Sequence, residues 1–295
     1  MSQPSQISPH RGRRVDLPGR YGPIAALHAR APEVDGRPAP IALLVPGYTG
    51  SKEDFAPLLD PMTEAGVHAI AIDLPGQYES GGPDDEAAYL PTALGALLAE
   101  LVGKLSAEGN PVLLLGHSFG GLVARGAVLA GAPVAGLTLM CTGPCELPEG
   151  ARRKALDLGE PAMREHGIEA ALRMREELDR MLPNRLAPAP ELATFLRQRF
   201  LSSLPASLLG MAHGLRTEPD QVSTLARTLH TGGIPCLVTC GEGDDAWPVP
   251  AQRDMADRLD ADFAVIPGAR HSPNVENPQA LLNTLLPTWR SWLTA

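Results

Sequence analysis

No apolar run in this sequence reaches about 18 residues, the length that crosses a bilayer as a helix, so no membrane span is expected. Cysteine is scarce, four in 295 residues, which excludes a disulfide-stapled scaffold. Positive charge is in deficit. There are 25 Lys and Arg against 34 Asp and Glu, a formal net charge of −9, which argues against a nucleic-acid partner and an anionic membrane surface. Met1 to Arg14 holds arginines but no apolar stretch after them, so it does not read as a secretion signal, and a cytoplasmic location is expected. That segment is polar and rich in Pro and Ser, so it should fray or drape on the surface. Internal repeats and low-complexity tracts are absent as well.

What is present is apolar residue, 44% of the chain, in short runs punctuated by thirty glycines and thirty prolines. Ile41–Val45, Val67–Ile72, Val112–Leu115, Val134–Met140, Cys236–Cys240 and Phe263–Ile266 have strand length and are apolar but for His68, Thr138 and Thr239, as strands covered on both faces are. Ile24–Ala29 could be a further short strand. Helical patterns fall between them. Ser51 with Asp54 opens one that runs to about Ala65, with Pro57 and Pro61 able to break it. Tyr89 to about Ser106 carries Leu94, Leu97, Leu98, Leu101, Val102 and Leu105 on one stripe. Strand and helix alternate, which predicts an α/β fold: a mostly parallel sheet with helices on both faces.

The alternation lapses after Cys141. Between Cys145 and Thr217 no strand-like run occurs, and Ile168–Leu182 and Glu191–Leu201 read as amphipathic helices. Residues 146–230 hold 12 basic and 12 acidic residues, so the negative charge lies elsewhere. The expected organisation is a core of residues 1–144 and 219–295, with residues 145–218 inserted as a helical cap. A neutral cap suggests an uncharged or partly apolar substrate.

The chain is organised around Gly116-His117-Ser118-Phe119-Gly120. An apolar strand runs into it and a helical pattern leaves it, so Ser118 sits on a sharp strand-to-helix turn of the G-x-S-x-G form. A side chain thrust out of a strained turn crowds its neighbours, and Gly116 and Gly120 leave room. The N-terminus of the next helix favours developing negative charge. A serine nucleophile needs a base, and the base an orienting acid. In open parallel sheets such groups follow the carboxyl ends of strands. His271 follows the run ending at Ile266, whereas the other seven histidines lie before the turn, beside the serine or in helical stretches, and His117 should point away from the pocket. Asp244 and Asp245 follow the run ending at Cys240, and either could orient His271. An oxyanion would be met by the N–H of Phe119 and by an N–H after Val45, for which Tyr48 is the candidate.

With those residues the chain resembles α/β-hydrolase fold serine hydrolases of the esterase and lipase type, from about Ile24 to the C-terminus. The matches are Gly116–Gly120, the turn Val45-Pro46-Gly47-Tyr48, Gly241-Glu242-Gly243-Asp244 with Pro248 four residues on, and Gly268-Ala269-Arg270-His271-Ser272. The resemblance implies Asp244, with Asp245 second, as the acid. It implies acyl transfer to water by a Ser118–His271–Asp244 triad, on a small-molecule acyl substrate, with no cofactor and no metal. Two turns depart from the family: Pro46-Gly47 where His-Gly is frequent, and Pro75-Gly76-Gln77-Tyr78 where Gly-x-Gly is frequent. Thioesterase, lactonase, C–C hydrolase, acyltransferase and cofactor-free perhydrolase chemistry could use the same three residues, and a non-catalytic ligand-binding role is a further alternative. A homo-oligomer is left open. Cys141 with Cys145 and Cys236 with Cys240 lack the spacing of common zinc sites and read as small residues at strand ends. Asp73, at a strand end, is a weaker candidate acid. Met163, Met174, Met181 and Met211 read as packing between cap and core, or as lining of a substrate cavity.

Overall fold

The computed structural model describes residues 3–32, 38–181 and 188–294. Its strands are β1 (Arg13–Leu17), β2 (Ile24–Ala29), β3 (Ile41–Val45), β4 (His68–Ile72), β5 (Val112–His117), β6 (Gly136–Met140), β7 (Cys236–Gly241) and β8 (Asp262–Ile266). Its helices are α1 (Ala56–Glu64), α2 (Pro91–Ser106), α3 (Phe119–Leu129), α4 (Ala151–His166), α5 (Ile168–Met181), α6 (Pro190–Leu201), α7 (Pro205–Thr217), α8 (Val222–Gly232), α9 (Val249–Leu259), α10 (Pro273–Glu276) and α11 (Pro278–Thr294). The eight strands form one sheet in the order β1-β2-β4-β3-β5-β6-β7-β8. β2 runs antiparallel to β1 and β4, and every other pairing is parallel. The architecture is therefore the α/β one, a mostly parallel sheet with helices on both faces.

Alternate residues of the central strands feed separate cores. Ile41, Leu43, Val45, Val112 and Leu114 pack with α2, α3 and α8 on one face. Ala42, Leu44, Leu113 and Leu115 pack with α1 and α11 on the other. Two buried faces explain why these strands read as unbroken apolar runs.

The sequence expectations differ from the structure in three places. The N-terminal segment is not wholly frayed, because Arg13–Leu17 forms edge strand β1, paired from Arg13↔His28 to Leu17↔Ile24. An edge strand with largely exposed side chains carries no apolar signature. The helix expected after Ser51 is split: Lys52–Phe55 is a 3-10 turn, in which Asp54 Oδ2 accepts from the Ser51 N–H at 3.2 Å, and α1 begins at Ala56. Among the described residues four helices lie between Cys145 and Thr217, where the sequence showed two. α4 has only Leu156, Ala162 and Met163 buried, and Gly159 and Pro161 inside it read as helix breakers. α7 is buried almost all round and includes Gly210 and Gly214, so it shows no amphipathic stripe. Leu182, the expected end of the α5 helix, lies outside the described residues.

These four helices sit over loops at the carboxyl ends of the strands. The Gly76 carbonyl accepts from the Leu204 N–H at 2.8 Å and the Ser207 hydroxyl at 2.9 Å. Arg199 on α6 donates to Asp54 at 2.6 Å, both side chains being buried. A small apolar cluster of Met163, Ala171, Leu172, Phe200, Leu208 and Leu209 joins the helices, and Tyr48 packs against both it and the sheet core. Met211 is fully buried in the sheet-side core, whereas Met174 is only partly buried. The Met181 side chain lies outside the described set.

Candidate active site

β5 delivers Ser118 to the sheet edge in a conformation few residues adopt, φ 54° and ψ −121°. Such a backbone costs on the order of 1–3 kcal/mol and needs surrounding structure to hold it. The Ser118 N–H donates to the Met140 carbonyl of β6 at 2.9 Å. Gly116 and Gly120 supply the room: a Cβ at Gly116 would strike the Gly120 carbonyl, and one at Gly120 would strike the Val45 and Pro46 carbonyls. The loop after β3 also comes near, since a Cβ on Gly47 would lie 3.1 Å from Ser118 Cβ. The Gly47–Tyr48 peptide therefore flanks the serine. Phe119 opens α3, where its N–H has no carbonyl one turn back to bond.

His271 lies in the loop after β8. Its Nε2 is 2.9 Å from Ser118 Oγ and its Nδ1 is 2.8 Å from Asp244 Oδ1. Ser118 is 8% exposed, His271 7%, and the Asp244 side chain is fully covered. Of the two adjacent acids, Asp244 reaches the imidazole. Asp245 is exposed and pairs with Arg152 at 2.6 Å and Arg270 at 3.1 Å. Burial acts to raise the Asp244 pKa. Hydrogen bonds from His271, the Ala246 N–H and Gln252 outweigh it and hold the carboxyl below its ordinary value. Asp244 thus stays ionised and acts only as an acceptor. His271 Nδ1 then carries the hydrogen, leaving Nε2 free to accept from the Ser118 hydroxyl.

Three residues outside the triad support this arrangement. Gln252 Nε2 donates to Asp244 Oδ2 and to the Trp247 carbonyl, each at 2.8 Å. Glu276 accepts from the N–H groups of Arg270 at 2.6 Å and Ser272 at 3.2 Å, fixing the loop around His271. His117 points away from Ser118, and its Nε2 donates to the His271 carbonyl at 2.7 Å. Burial pushes the His117 pKa down to about 4, so it is neutral and its tautomer is set by that carbonyl. Gln252 and Glu276 had no signal beyond residue type, because each acts through tertiary contact, whereas His117 points away from the pocket as its place beside the serine implied. Gln77 belongs to the departing turn Pro75-Gly76-Gln77-Tyr78-Glu79-Ser80, which marked the place.

Asp73 is fully buried and holds Lys52, with Nζ to Oδ2 at 3.0 Å and the Lys52 N–H to Oδ1 at 2.7 Å. Burial raises its pKa to about 6 against the pull of Lys52. It meets a cation and backbone, not an imidazole. Among the described residues, His117, Cys141 and His271 gather ligand atoms within 4.8 Å of one another, as do Asp244, Asp245 and His271. Both nitrogens of His271 are already engaged by Ser118 and Asp244, and burial raises the Cys141 thiol pKa strongly. Cys145, Cys236 and Cys240 join neither group. No helix is long and apolar enough to cross a membrane among the described residues. The Tyr48 hydroxyl is pushed up to about 12 by burial, against Arg175 and Arg216, so it stays protonated.

Comparison with known proteins bears on the fold and the family. A curated Bacillus subtilis (strain 168) protein, provisionally named 2-succinyl-6-hydroxy-2,4-cyclohexadiene-1-carboxylate synthase, is 27% identical over 246 residues, 79% of this chain and 84% of that protein. A thermophilic esterase from Thermogutta terrifontis, determined with malate bound, superposes with a TM-score of 0.71 at 24% identity, over 96% of this chain and 98% of that one. MenH from S. aureus does so with a TM-score of 0.72 at 22% identity, over 91% and 98%. At these identities the solved structures establish the fold. The sequence profile of the alpha/beta hydrolase family matches residues 42–284, most of the chain. The chain therefore belongs to the alpha/beta hydrolase family, a membership that supports a hydrolase activity.

Proposed function

We propose that the chain is a serine hydrolase that cleaves a carboxylic ester or related acyl compound through an acyl-enzyme. The observation that carries the reading is the unbroken line from Ser118 Oγ to His271 Nε2 to Asp244, with bonds of 2.9 and 2.8 Å in a nearly water-free setting. His271 takes the hydroxyl proton as Ser118 Oγ attacks the acyl carbon. The Tyr48 and Phe119 N–H groups hold the oxyanion, each contributing about 3 kcal/mol in such sites. The tetrahedral intermediate expels the alcohol, which takes the proton from His271. Water then repeats the sequence on the acyl-enzyme and regenerates Ser118. Residues 145–218 act as the cap, and their charge balance favours an uncharged or partly apolar substrate.

A second reading comes from the Bacillus subtilis relative, whose name is that of a synthase with a carboxylate-bearing product. The same three residues could serve thioester, lactone or C–C bond chemistry, so the triad does not separate these. Intact-mass labelling with a fluorophosphonate, followed by a p-nitrophenyl ester chain-length series, tests the reading. One covalent adduct should form, and both labelling and ester turnover should vanish in Ser118→Ala while the circular dichroism stays native. Turnover that survives Ser118→Ala would remove the serine from the mechanism. A folded wild type that is never labelled would favour a ligand-binding role.

A further inference from the structure

The turn after β4, Pro75-Gly76-Gln77-Tyr78-Glu79-Ser80, departs from the family's Gly-x-Gly, and Gln77 within it has no place in the triad. Its side chain is nevertheless fully buried. Gln77 Oε1 accepts from the Leu74 N–H at 3.2 Å, and Nε2 donates to the Gly47 carbonyl at 2.8 Å. The two partners fix which end of the amide is which, because an N–H needs the oxygen and a carbonyl needs the nitrogen. Nε2 also approaches Met211 Sδ at 3.7 Å, which leaves the amide no other orientation with its partners satisfied. The turn itself is clamped, since the Gly76 carbonyl is held by Leu204 and Ser207.

The Gly47 carbonyl belongs to the same peptide unit as the Tyr48 N–H. That unit is trans, so the two groups point in opposite directions. Two donors stand on the carbonyl side, Gln77 Nε2 at 2.8 Å and the Gly50 N–H at 3.0 Å. They hold the plane of the peptide, and they polarise it, which makes its N–H a better donor. Gly47 approaches Ser118 from this loop, with its added Cβ 3.1 Å from Ser118 Cβ.

We infer that Gln77 is a positioning residue for the oxyanion hole, fixing and polarising the Gly47–Tyr48 peptide from behind through its hydrogen bond to the Gly47 carbonyl. The inference rests on the serine-hydrolase reading and assigns the departing turn a part in it. It locates one half of transition-state stabilisation in a side chain that never meets the substrate. The other half, Phe119 N–H, is set by α3 and is independent of Gln77.

The test uses the full-length wild type, Gln77→Met and Gln77→Glu, with p-nitrophenyl acetate as substrate and phenylboronic acid as a tetrahedral-adduct probe. Gln77→Met keeps length without a donor. Gln77→Glu keeps shape and places a carboxylate against the carbonyl, so it serves if the first variant does not fold. Outer groups that orient a reacting one are worth about 10–100-fold. The expected result is kcat lower by about 10–100-fold with KM within about threefold, boronate Ki rising in step with the loss in kcat, and fluorophosphonate still labelling Ser118 at a reduced rate. A variant with wild-type kcat overturns the inference. So does a loss shared between kcat and KM with boronate affinity unchanged, which would mark a merely structural side chain. A wild type that neither turns over ester nor is labelled overturns the serine-hydrolase reading itself, an outcome distinct from either.

Discussion

The carboxyl edge of the sheet and the helical layer above it are built by different means. All six residues of β5 are buried, and the polar groups at its end are bound in pairs with little access to water. Of the sixteen residues of α4 only three are buried. α4 reaches the rest of the fold in part through exposed ion pairs, Arg152 with Asp245 and Arg164 with Glu86, whose side chains are 39–44% exposed. Exposed pairs contribute about 0–1 kcal/mol. What holds the layer down is one small apolar cluster, the α7 contacts and the buried Arg199–Asp54 pair. The difference assigns rigidity to the candidate chemistry and mobility to access, since regions with few buried contacts open at low free energy.

The strongest way to break the comparison is at the rigid side. Asp244→Asn leaves shape intact but inverts the hydrogen-bonding role of the group facing His271. Turnover should fall by about 10⁴-fold, the loss typical of an equivalent change in other triads. Asp245→Asn, on the exposed neighbour, should leave kcat within about fivefold. Steady-state kinetics on both decides between adjacent acids, and equal losses would sink the assignment to Asp244. Next is Arg199→Met, which leaves Asp54 buried with its cation gone. Breaking such a pair costs about 3–5 kcal/mol. The melting temperature should drop, and limited proteolysis should cut residues 145–218 first. A cut pattern and melting point equal to wild type would show that the pair does not hold the layer.

How far the sequence reveals the molecule follows the same division. The positions of Ser118 and Asp244 were legible because each follows a strand buried on both faces, and that of His271 because it follows the short apolar run Phe263–Ile266, although only Ile266 of strand β8 is buried. Strand β1 was not, since an edge strand of Arg13, Arg14 and Asp16 needs only backbone pairing. α7 was not, because a helix buried all round lacks the one-sided stripe that marks a helix, and α4 was not, because Gly159 and Pro161 interrupt its pattern. The residues alone left Asp244 and Asp245 open, and the family resemblance put Asp244 first. One peptide bond apart, they differ in the structure in that one faces inward to His271 and the other outward to arginines. The supporting roles of Gln252 and Glu276 carried no sequence signal, as they depend on how separate loops and helices meet. His117 was placed only as pointing away from the pocket and Gln77 only as part of a departing turn, their partners lying up to 154 residues away.

On the rigid side the next effect is in acid. His117 titrates near 6.5 when unfolded and, kept neutral by burial, near 4 when folded. The unfolded chain therefore binds this proton first. Above about pH 6.5 the group costs nothing, and its penalty grows as pH falls to about 4, reaching about 3 kcal/mol. Urea titrations from pH 7 to 4 should show His117→Gln, which keeps a donor for the His271 carbonyl, losing less stability than wild type over that window. Parallel losses would mean that His117 is not held neutral.

The smallest effect is expected where the contacts look most numerous. Arg164 on α4 makes two bonds of 2.7 Å to Glu86 and one of 2.8 Å to Glu160, and these partners raise its pKa. Yet its side chain is 44% exposed, and Glu86 is 39% exposed. Water already solvates both ions, so the pair gains little and two long side chains lose freedom. A double-mutant cycle of Arg164→Gln with Glu86→Gln should return a coupling below about 1 kcal/mol. A coupling above about 2 kcal/mol would mean that surface pairs, not the apolar cluster and Arg199, fasten the layer. The contrast in rigidity would then weaken, because the exposed Arg152–Asp245 pair, built the same way, would add to the hold.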